Sequence, residues 1–469
     1  MKFSTLIKHA TELNRIILKS PTPADTLATE YLRAKKYIGS NERKIISEIV
    51  FNKLRIESLA RNACENFLQN KKLTLPNDSM ELLAMPASIA IAHFLPNNRS
   101  EYLQMRLEKI TDIGESILET LKDAVADLAI IPGFAAEFVN FCAEYAEKFL
   151  RNADSDTLLS PEQICLQPII VESLQKRYSA RTINEIALSA LASAPVCLRV
   201  NTLKNNRDKV LEILDNCGIK ATKSELSPDG IILFGRPNLS QIEIFQNGDV
   251  EVQDIGSQII GYALGVEPDS AILDACAGAG GKTLHLAALS QDRAKIIATD
   301  IEFKRLKEIR KRAEKAGIAS IETVIQKTMN LKEQVKRKFD YILIDAPCSG
   351  TGTIRRMPMP KWRLNEKLLS KINTMQAEIL DYYSEFLEPG GKLVYATCSL
   401  LPDENGEIID AFLASHPNFQ PEPILPTLSD AEVNTAKLGL SSSDYMLYLT
   451  PLNGETDGFF MSCITKTEE

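Results

Sequence analysis

The feature that most constrains this chain is a change of rhythm near Asp249. From there AILDACAG, KIIATD, ETVIQ, YILIDAP and GKLVYATCS are short apolar runs, separated by helical stretches such as FKRLKEIRKRAEKAG. Runs of that kind bounded by turn residues are buried strands, and strands alternating with helices imply a parallel sheet, because parallel neighbours need a crossover connection. The fold class is therefore α/β, a Rossmann-like, doubly wound sheet. The closing DGFFMSCITK alternates bulky residues and reads as one further strand, antiparallel at or near the sheet edge.

Upstream the pattern is different. From Thr5 to about Arg151 apolar residues recur at three and four spacing, which predicts an all-helical domain. In ADTLATEYLRAKKYIGSNERKIISEIVFNKLR the Gly39-Ser40-Asn41 step supplies a helix stop and a new cap, and IPGFAAEFVNFCAEYAEKFL ends at the polar RNADSD. Two further helices, SPEQICLQPIIVESLQKRYS and TINEIALSALASAP, lead into a strand, VCLRVNTLK, that ends on Arg199 and Asn201. At 469 residues the chain exceeds one core. The expected division is a helical domain over 1–152, a small connecting α/β subdomain over 153–248 and the sheet domain over 249–469.

Several function classes are disfavoured. The longest apolar stretch, LLAMPASIAIAHFL, is too short to span a bilayer, and the charged N-terminus lacks a leader's apolar core, so a cytoplasmic protein with no membrane partner is expected. The nine cysteines show no C-x-x-C pair and no His at ligand spacing, which argues against a metal site and a disulfide scaffold. A net charge of −8 does not suggest a general nucleic-acid binder, yet residues 1–62 carry twelve Lys and Arg against six Asp and Glu. That excess suits either phosphates or a solvated helical face. A monomer is expected.

In an open α/β sheet, ligands gather at the carboxyl ends of the strands. After the first strand comes DACAGAGGKTLHLA, whose Gly278, Gly280 and Gly281 let backbone approach a ligand and turn into a helix. A phosphate-binding loop would need glycine where Cys276 stands, and a dinucleotide fingerprint fails at Thr283. What remains is the acidic Asp274, the loop, and Asp300 at the next strand's end, placed to accept from two ribose hydroxyls. This pairing favours S-adenosyl-L-methionine.

The later strand ends, YILIDAPCSGTGT and LVYATCS, bring Asp345, Cys348 and Cys398 toward one pocket. Carbon 5 of cytosine is a poor nucleophile until something adds to carbon 6, and a thiolate can add there and later leave. An acid at ring nitrogen 3 would stabilise the resulting charge, and a second thiolate or a water could remove the carbon 5 proton.

The segments DACAGAGGK, TDIEFKRL, DAPCSGTGTIRRMP, KWR, ATCSLLPDENGEII and TDGFF resemble the Sun/Fmu family of RNA cytosine-5 methyltransferases, from about Pro195 to Phe460. The resemblance implies that Cys398 of the Thr-Cys-Ser motif is the nucleophile and that Cys348 assists product release. DNA cytosine methyltransferases attack with the Pro-Cys cysteine instead, so a chain with both looks RNA-directed. It further implies that Cys276, Ala277, Gly278, Ala279, Gly280, Gly281 and Lys282 line the cofactor, that Asp300 holds its ribose, and that Asp345 lies between cofactor and base. Arg199 and Asn201 in LRVNT match a motif associated with RNA positioning. Thr328 stands where the family usually carries an acid near the adenine, and Met359 replaces an acid before Lys361-Trp362. The N-terminal helices are similar to the NusB-like extension of bacterial members acting on small-subunit ribosomal RNA, which makes that RNA the expected partner and transfer RNA the runner-up.

Other residues have competing roles. Cys276 reads as packing under the loop, His285 as structural, and Asp274 as a tie for the loop's amides. Trp362 could stack on a base or pack the protein's own surface. The RRMPMPKWR stretch, with Arg355, Arg356 and Lys361, suits phosphates and an unstacked base. The basic FKRLKEIRKRAEKAG helix reads equally as a solvated face. A different class of function, an RNA-binding assembly factor using mainly its helical domain, is disfavoured by the intact cysteine pair; methylation of DNA or protein has no supporting feature.

Overall fold

The computed structural model describes residues 1–95, 117–153, 156–326 and 330–468. By the density of internal packing the chain divides into two units, Met1–Ala194 with Ile354–Leu364, and Pro195–Thr353 with Asn365–Glu469. This differs from the expected boundaries at 152 and 248. Helices Pro168–Gln175 and Ala180–Leu191 fall in the helical unit, while the small sheet expected to connect falls with the large one.

The helical unit is built from amphipathic helices. Phe3–Lys19 buries Leu6, Ile7, Ala10, Leu13 and Ile17, a stripe at the three and four spacing of a helix face. Helix Ser40–Arg55 starts one residue after Gly39, whose backbone N–H donates to the Glu42 carboxylate at 2.7 Å, so the stop-and-cap signal falls at this junction. Asn77–Phe94, the helix formed by the longest apolar stretch, is the central one: Leu83 to Ala92 are buried on every side, as expected for an apolar helix inside a bundle. Phe67 packs edge-on against Phe138 at 5.2 Å between ring centroids. Among the described residues, no helix is long and apolar enough to cross a membrane.

The second unit holds two sheets. In the smaller, β1 (Val196–Val200), β2 (Ala221–Lys223), β3 (Gly230–Leu233) and β4 (Val250–Val252) run antiparallel in the order β2-β3-β1-β4. In the larger, β5 (Ala271–Asp274), β6 (Lys295–Asp300), β7 (Ile321–Ile325), β8 (Phe339–Asp345) and β9 (Leu387–Thr397) are parallel, in the order β7-β6-β5-β8-β9. Beyond β9 come three antiparallel strands, β10 (Phe419–Pro421), β11 (Met446–Leu449) and β12 (Phe459–Lys466). The C-terminal strand β12 thus pairs antiparallel with β9 as expected and lies one place in from the edge, with the short β10 and β11 beyond it. Both faces of the parallel part are covered. Leu343 and Val394 enter the core on one side, and Ile342, Ile344 and Tyr395 enter it on the other. Double coverage explains why these strands read as unbroken apolar runs.

Candidate active site

Strand order reverses at β5, which is flanked by β6 and β8, so the crevice over the carboxyl ends of β5 and β8 is the topological switch point. Each end contributes a polar group. Asp274 closes β5, Asp300 closes β6, Asp345 closes β8, and Cys398 follows Thr397 at the end of β9.

The loop after β5 leads into helix Gly281–Leu289, and Gly280 precedes it in the left-handed region with φ 86°. A Cβ built on Gly280 would meet Ile309 at 2.8 Å, so both its backbone conformation and its surroundings demand glycine. At Gly278 and Gly281 such a Cβ meets nothing within 4 Å, which leaves the loop open on the side where a ligand would lie. The Asp300 carboxylate accepts the Gly278 N–H at 3.0 Å and the Glu302 N–H at 2.8 Å, which aligns it with the loop.

Lys282, at the start of the helix, donates to Asp345 at 2.7 Å. Burial favours the neutral amine, but the Asp345 carboxylate outweighs it and holds the Lys282 pKa above its ordinary value. Next to this pair the Cys348 and Cys398 sulfurs lie 3.2 Å apart, both half-buried. The Cys348 thiol is pushed well up, first by its hydrogen bond to Cys398 and then by burial. Two anionic sulfurs at that distance would repel, so Cys348 keeps its proton.

Glu404 lies beneath the two cysteine loops. It is fully buried and accepts from the Ser349 N–H at 2.7 Å, the Ser349 hydroxyl at 2.5 Å, and the Ser399 hydroxyl. The same loops are pressed onto the chain before β12. The Gly352 N–H donates to the Cys398 carbonyl, and the Gly458 N–H donates to the Gly352 carbonyl, both at 2.9 Å. A Cβ on Gly352 would lie 2.0 Å from the Gly458 carbonyl oxygen, so neither loop can shift without the other.

This arrangement of glycine loop, strand-end carboxylates and paired thiols has close relatives. The family described as 16S rRNA methyltransferase RsmB/F matches residues 261–465, and the RsmF/B-like, ferredoxin-like domain matches residues 169–239. A "Ribosomal RNA small subunit methyltransferase B" of Shewanella oneidensis is 35% identical over 283 residues, which cover 60% of this chain and 63% of that one. Its Escherichia coli namesake is 34% identical over 305 residues, 64% of this chain and 68% of that one. The chain belongs to the RsmB/F methyltransferase family. It thus spans a little under two thirds of the Shewanella relative and a little over two thirds of the Escherichia one. Among solved structures, a methyltransferase homolog protein from Pyrococcus horikoshii superposes with a TM-score of 0.52 at 27% identity, over 64% of this chain and all of that one.

In this RsmB/F chain the residues read from strand ends and those read from charge have different positions. Asp300, Asp345, Cys348, Cys398 and the 276–282 loop all lie at the carboxyl edge of the parallel strands. Cys276 is held protonated, its pKa raised by burial and by Asp274, Asp345 and Asp300. Asp274 does not bind the loop's amides. It is fully buried, accepts the Thr283 hydroxyl at 2.6 Å, and burial lifts its pKa to about 7. His285 is buried edge-on against Tyr262 and kept neutral by burial. Thr328 lies outside the described residues.

The five residues assigned to RNA fare differently. Arg199 is 2% exposed and donates to Gln253 and to the Gly281 carbonyl at 2.7 Å, so it braces the glycine loop rather than offering itself to phosphate. Asn201 is buried and donates to the Gly248 and Ala316 carbonyls, both at 3.0 Å. In the helical unit, Lys361 is fully buried with its ammonium on the Arg55 carbonyl, Trp362 donates to the Leu54 carbonyl at 2.7 Å, and Arg355 is buried. Their polar groups turn inward because a short segment without a core of its own is held by such bonds. Arg356 is half-buried. Sequence reasoning missed Glu404 and Arg312, which donates to the Ala279 carbonyl and to Glu251. It also missed Ile301, an exposed apolar side chain immediately after Asp300. A hydrophobic residue flanking the strand-end acid was a readable signal for Ile301; Glu404 and Arg312 carried none, since a charge next to a motif does not disclose its burial.

Proposed function

We propose that this chain transfers a methyl group from S-adenosyl-L-methionine to carbon 5 of a cytosine in RNA, the RNA being that of the small ribosomal subunit. The observation that carries the reading is the Cys348–Cys398 pair at 3.2 Å, beside the Asp345–Lys282 ion pair that ties it to the start of the helix after the glycine loop. The names of the relatives support ribosomal RNA as substrate.

S-adenosyl-L-methionine supplies an electrophilic methyl group on a sulfonium. The residues present suit it: the loop from Cys276 to Gly281 offers backbone without side-chain obstruction, Asp300 offers carboxylate oxygens to the ribose, and Ile301 offers an apolar surface to the adenine. Cys398 adds as thiolate to carbon 6, and the electron pair moves through the ring so that carbon 5 becomes nucleophilic. Asp345 is assigned to ring nitrogen 3, and the Lys282 ammonium it holds offsets the negative charge that develops there. Carbon 5 takes the methyl group, whose bond to the sulfonium sulfur breaks to leave a neutral thioether. Once Cys398 is bonded to carbon 6 it no longer holds up the Cys348 proton; Cys348, its proton lost to solvent, or a water beside it then removes the carbon 5 proton, and the carbon 6–sulfur bond breaks to return the Cys398 thiolate.

Bisulfite sequencing of total RNA from cells with and without the gene tests this. Loss of one protected cytosine in small-subunit RNA, restored by wild type but not by Cys398→Ala, is the expected result. No difference at any RNA site would overturn it and favour an assembly factor. In vitro, Cys348→Ala should accumulate a covalent RNA adduct and Cys398→Ala should form none; the opposite pattern would exchange the two roles.

A further inference from the structure

A fully buried acid without a cation is an expensive residue to retain, and Glu404 is one. Among the described residues no Lys, Arg or His forms an ion pair with it; its partners are neutral donors. These are the Ser349 N–H and hydroxyl, the Ser399 hydroxyl, and the Gln376 side-chain amide at 3.3 Å. Ser349 directly follows Cys348, and Ser399 directly follows Cys398. One carboxylate therefore grips the residue next to each thiol.

The grip is itself held in place. The Tyr395 hydroxyl donates to the Glu404 carbonyl at 2.9 Å, Asn405 donates to the Ser399 carbonyl at 2.9 Å, and Asn405 accepts the Thr397 hydroxyl at 2.6 Å. Thr351 and Ser399 share a further hydroxyl contact at 2.9 Å. Burial raises the Glu404 pKa, while the bonds from Ser349 and Ser399 oppose that rise. The titratable groups around it are Cys348, Cys398 and Tyr395, and its charge adds to the upward push on Cys348.

We propose that Glu404 is the positioning residue that sets the separation of the two thiols, and so the passage of the proton between Cys348 and Cys398. It touches neither substrate nor cofactor; it acts through Ser349 and Ser399. The catalytic consequence rests on the cysteine roles proposed above, whereas the spacing of the thiols does not. An apolar residue at this position would cost less to bury but would leave the two loops joined, besides backbone, only by the hydroxyl contacts of Ser349 and Thr351 with Ser399.

The test uses the full chain with Glu404→Gln and Glu404→Asp. Methyl transfer is assayed with tritiated S-adenosyl-L-methionine and a transcript of small-subunit ribosomal RNA. Separately, without RNA or cofactor, iodoacetamide alkylation of Cys398 is followed by mass spectrometry, with the buried Cys197 and Cys463 as internal reporters of unfolding. For Glu404→Gln we expect kcat to fall about tenfold to a hundredfold, as for a misplaced reacting group, with KM for RNA within about twofold. Cys398 should alkylate several-fold faster, because its loop is released, while Cys197 and Cys463 stay unreacted. Glu404→Asp keeps the charge and should recover part of kcat.

Wild-type kcat or unchanged Cys398 alkylation in Glu404→Gln would overturn the proposal. If Cys197 and Cys463 alkylate too, the variant has unfolded, and Ser349→Ala and Ser399→Ala decide: each removes one arm and should lower kcat several-fold, and wild-type kcat in both overturns the proposal. Should Cys398→Ala itself retain turnover, the cysteine mechanism fails, and the alkylation result still reports on the spacing.

Discussion

The carboxyl ends of the parallel strands and the Arg355–Arg363 segment were both marked in the sequence as places where polar residues meet a substrate, and the structure treats them in opposite ways. At the strand ends, polar side chains converge: the Asp345–Lys282 pair, the Asp300 carboxylate and the two thiols lie around one crevice. In the basic segment they turn inward, Lys361 onto the Arg55 carbonyl and Trp362 onto the Leu54 carbonyl. The first set was located by topology, which dictates where a strand's last residue must lie. The second was located by composition, which counts charges without giving them a direction.

The comparison breaks most visibly at Asp345. Asp345→Asn removes the charge from the crevice and leaves Lys282 without its counter-ion, and methyl transfer should fall about a thousandfold; a variant with near wild-type turnover would mean that convergence at the strand ends is only architectural. For the inward-turned set, Lys361→Ala should destabilise the helical unit by about 3 kcal/mol through lost packing and an unpaired buried carbonyl, seen as a lower thermal midpoint. If Lys361 were instead a phosphate contact, the midpoint would hold and the salt dependence of RNA binding would drop by about one unit of slope.

Smaller effects sharpen the contrast. Asp300→Asn should weaken S-adenosylhomocysteine binding about tenfold or more, the value of a charge-assisted hydrogen bond, as read by calorimetry. Asp274 tests burial directly. Its folded pKa of about 7 lies above the ordinary 3.8, so the native state holds a proton that the unfolded chain releases, and stability should fall as pH rises through that window. Urea melts at the two ends of the window should show the slope, and Asp274→Asn should flatten it. The least effect is expected on the basic helix Phe303–Ala316, where Lys311 bonds Glu308 on the exposed face: Lys311→Ala should leave the thermal midpoint unchanged.

Much of the fold was legible because it follows from period. The helical region, the parallel strands and the antiparallel C-terminal strand all follow from the spacing of apolar residues, and the glycine loop and strand-end acids follow from the rule that places ligands at the switch point. What the sequence hid was long-range pairing. Arg199 reads as a strand-end cation until its guanidinium is seen on the Gly281 carbonyl, 82 residues away along the chain. The domain boundary was obscured for the same reason: helices Pro168–Gln175 and Ala180–Leu191 have the same period whichever unit they pack with.

The helical unit is completed by residues 354–364, which the chain supplies only after it has begun the catalytic sheet. Severing the protein at the Ala194–Pro195 junction would therefore not yield two self-sufficient modules. The amino-terminal fragment would lack Lys361 and Trp362, and with them an internal fastening for the carbonyls of Leu54 and Arg55. Such a chain cannot exchange its helical part for another by simple end-to-end fusion; any graft has to carry an eleven-residue insert into the partner gene as well, which couples the inheritance of the two units.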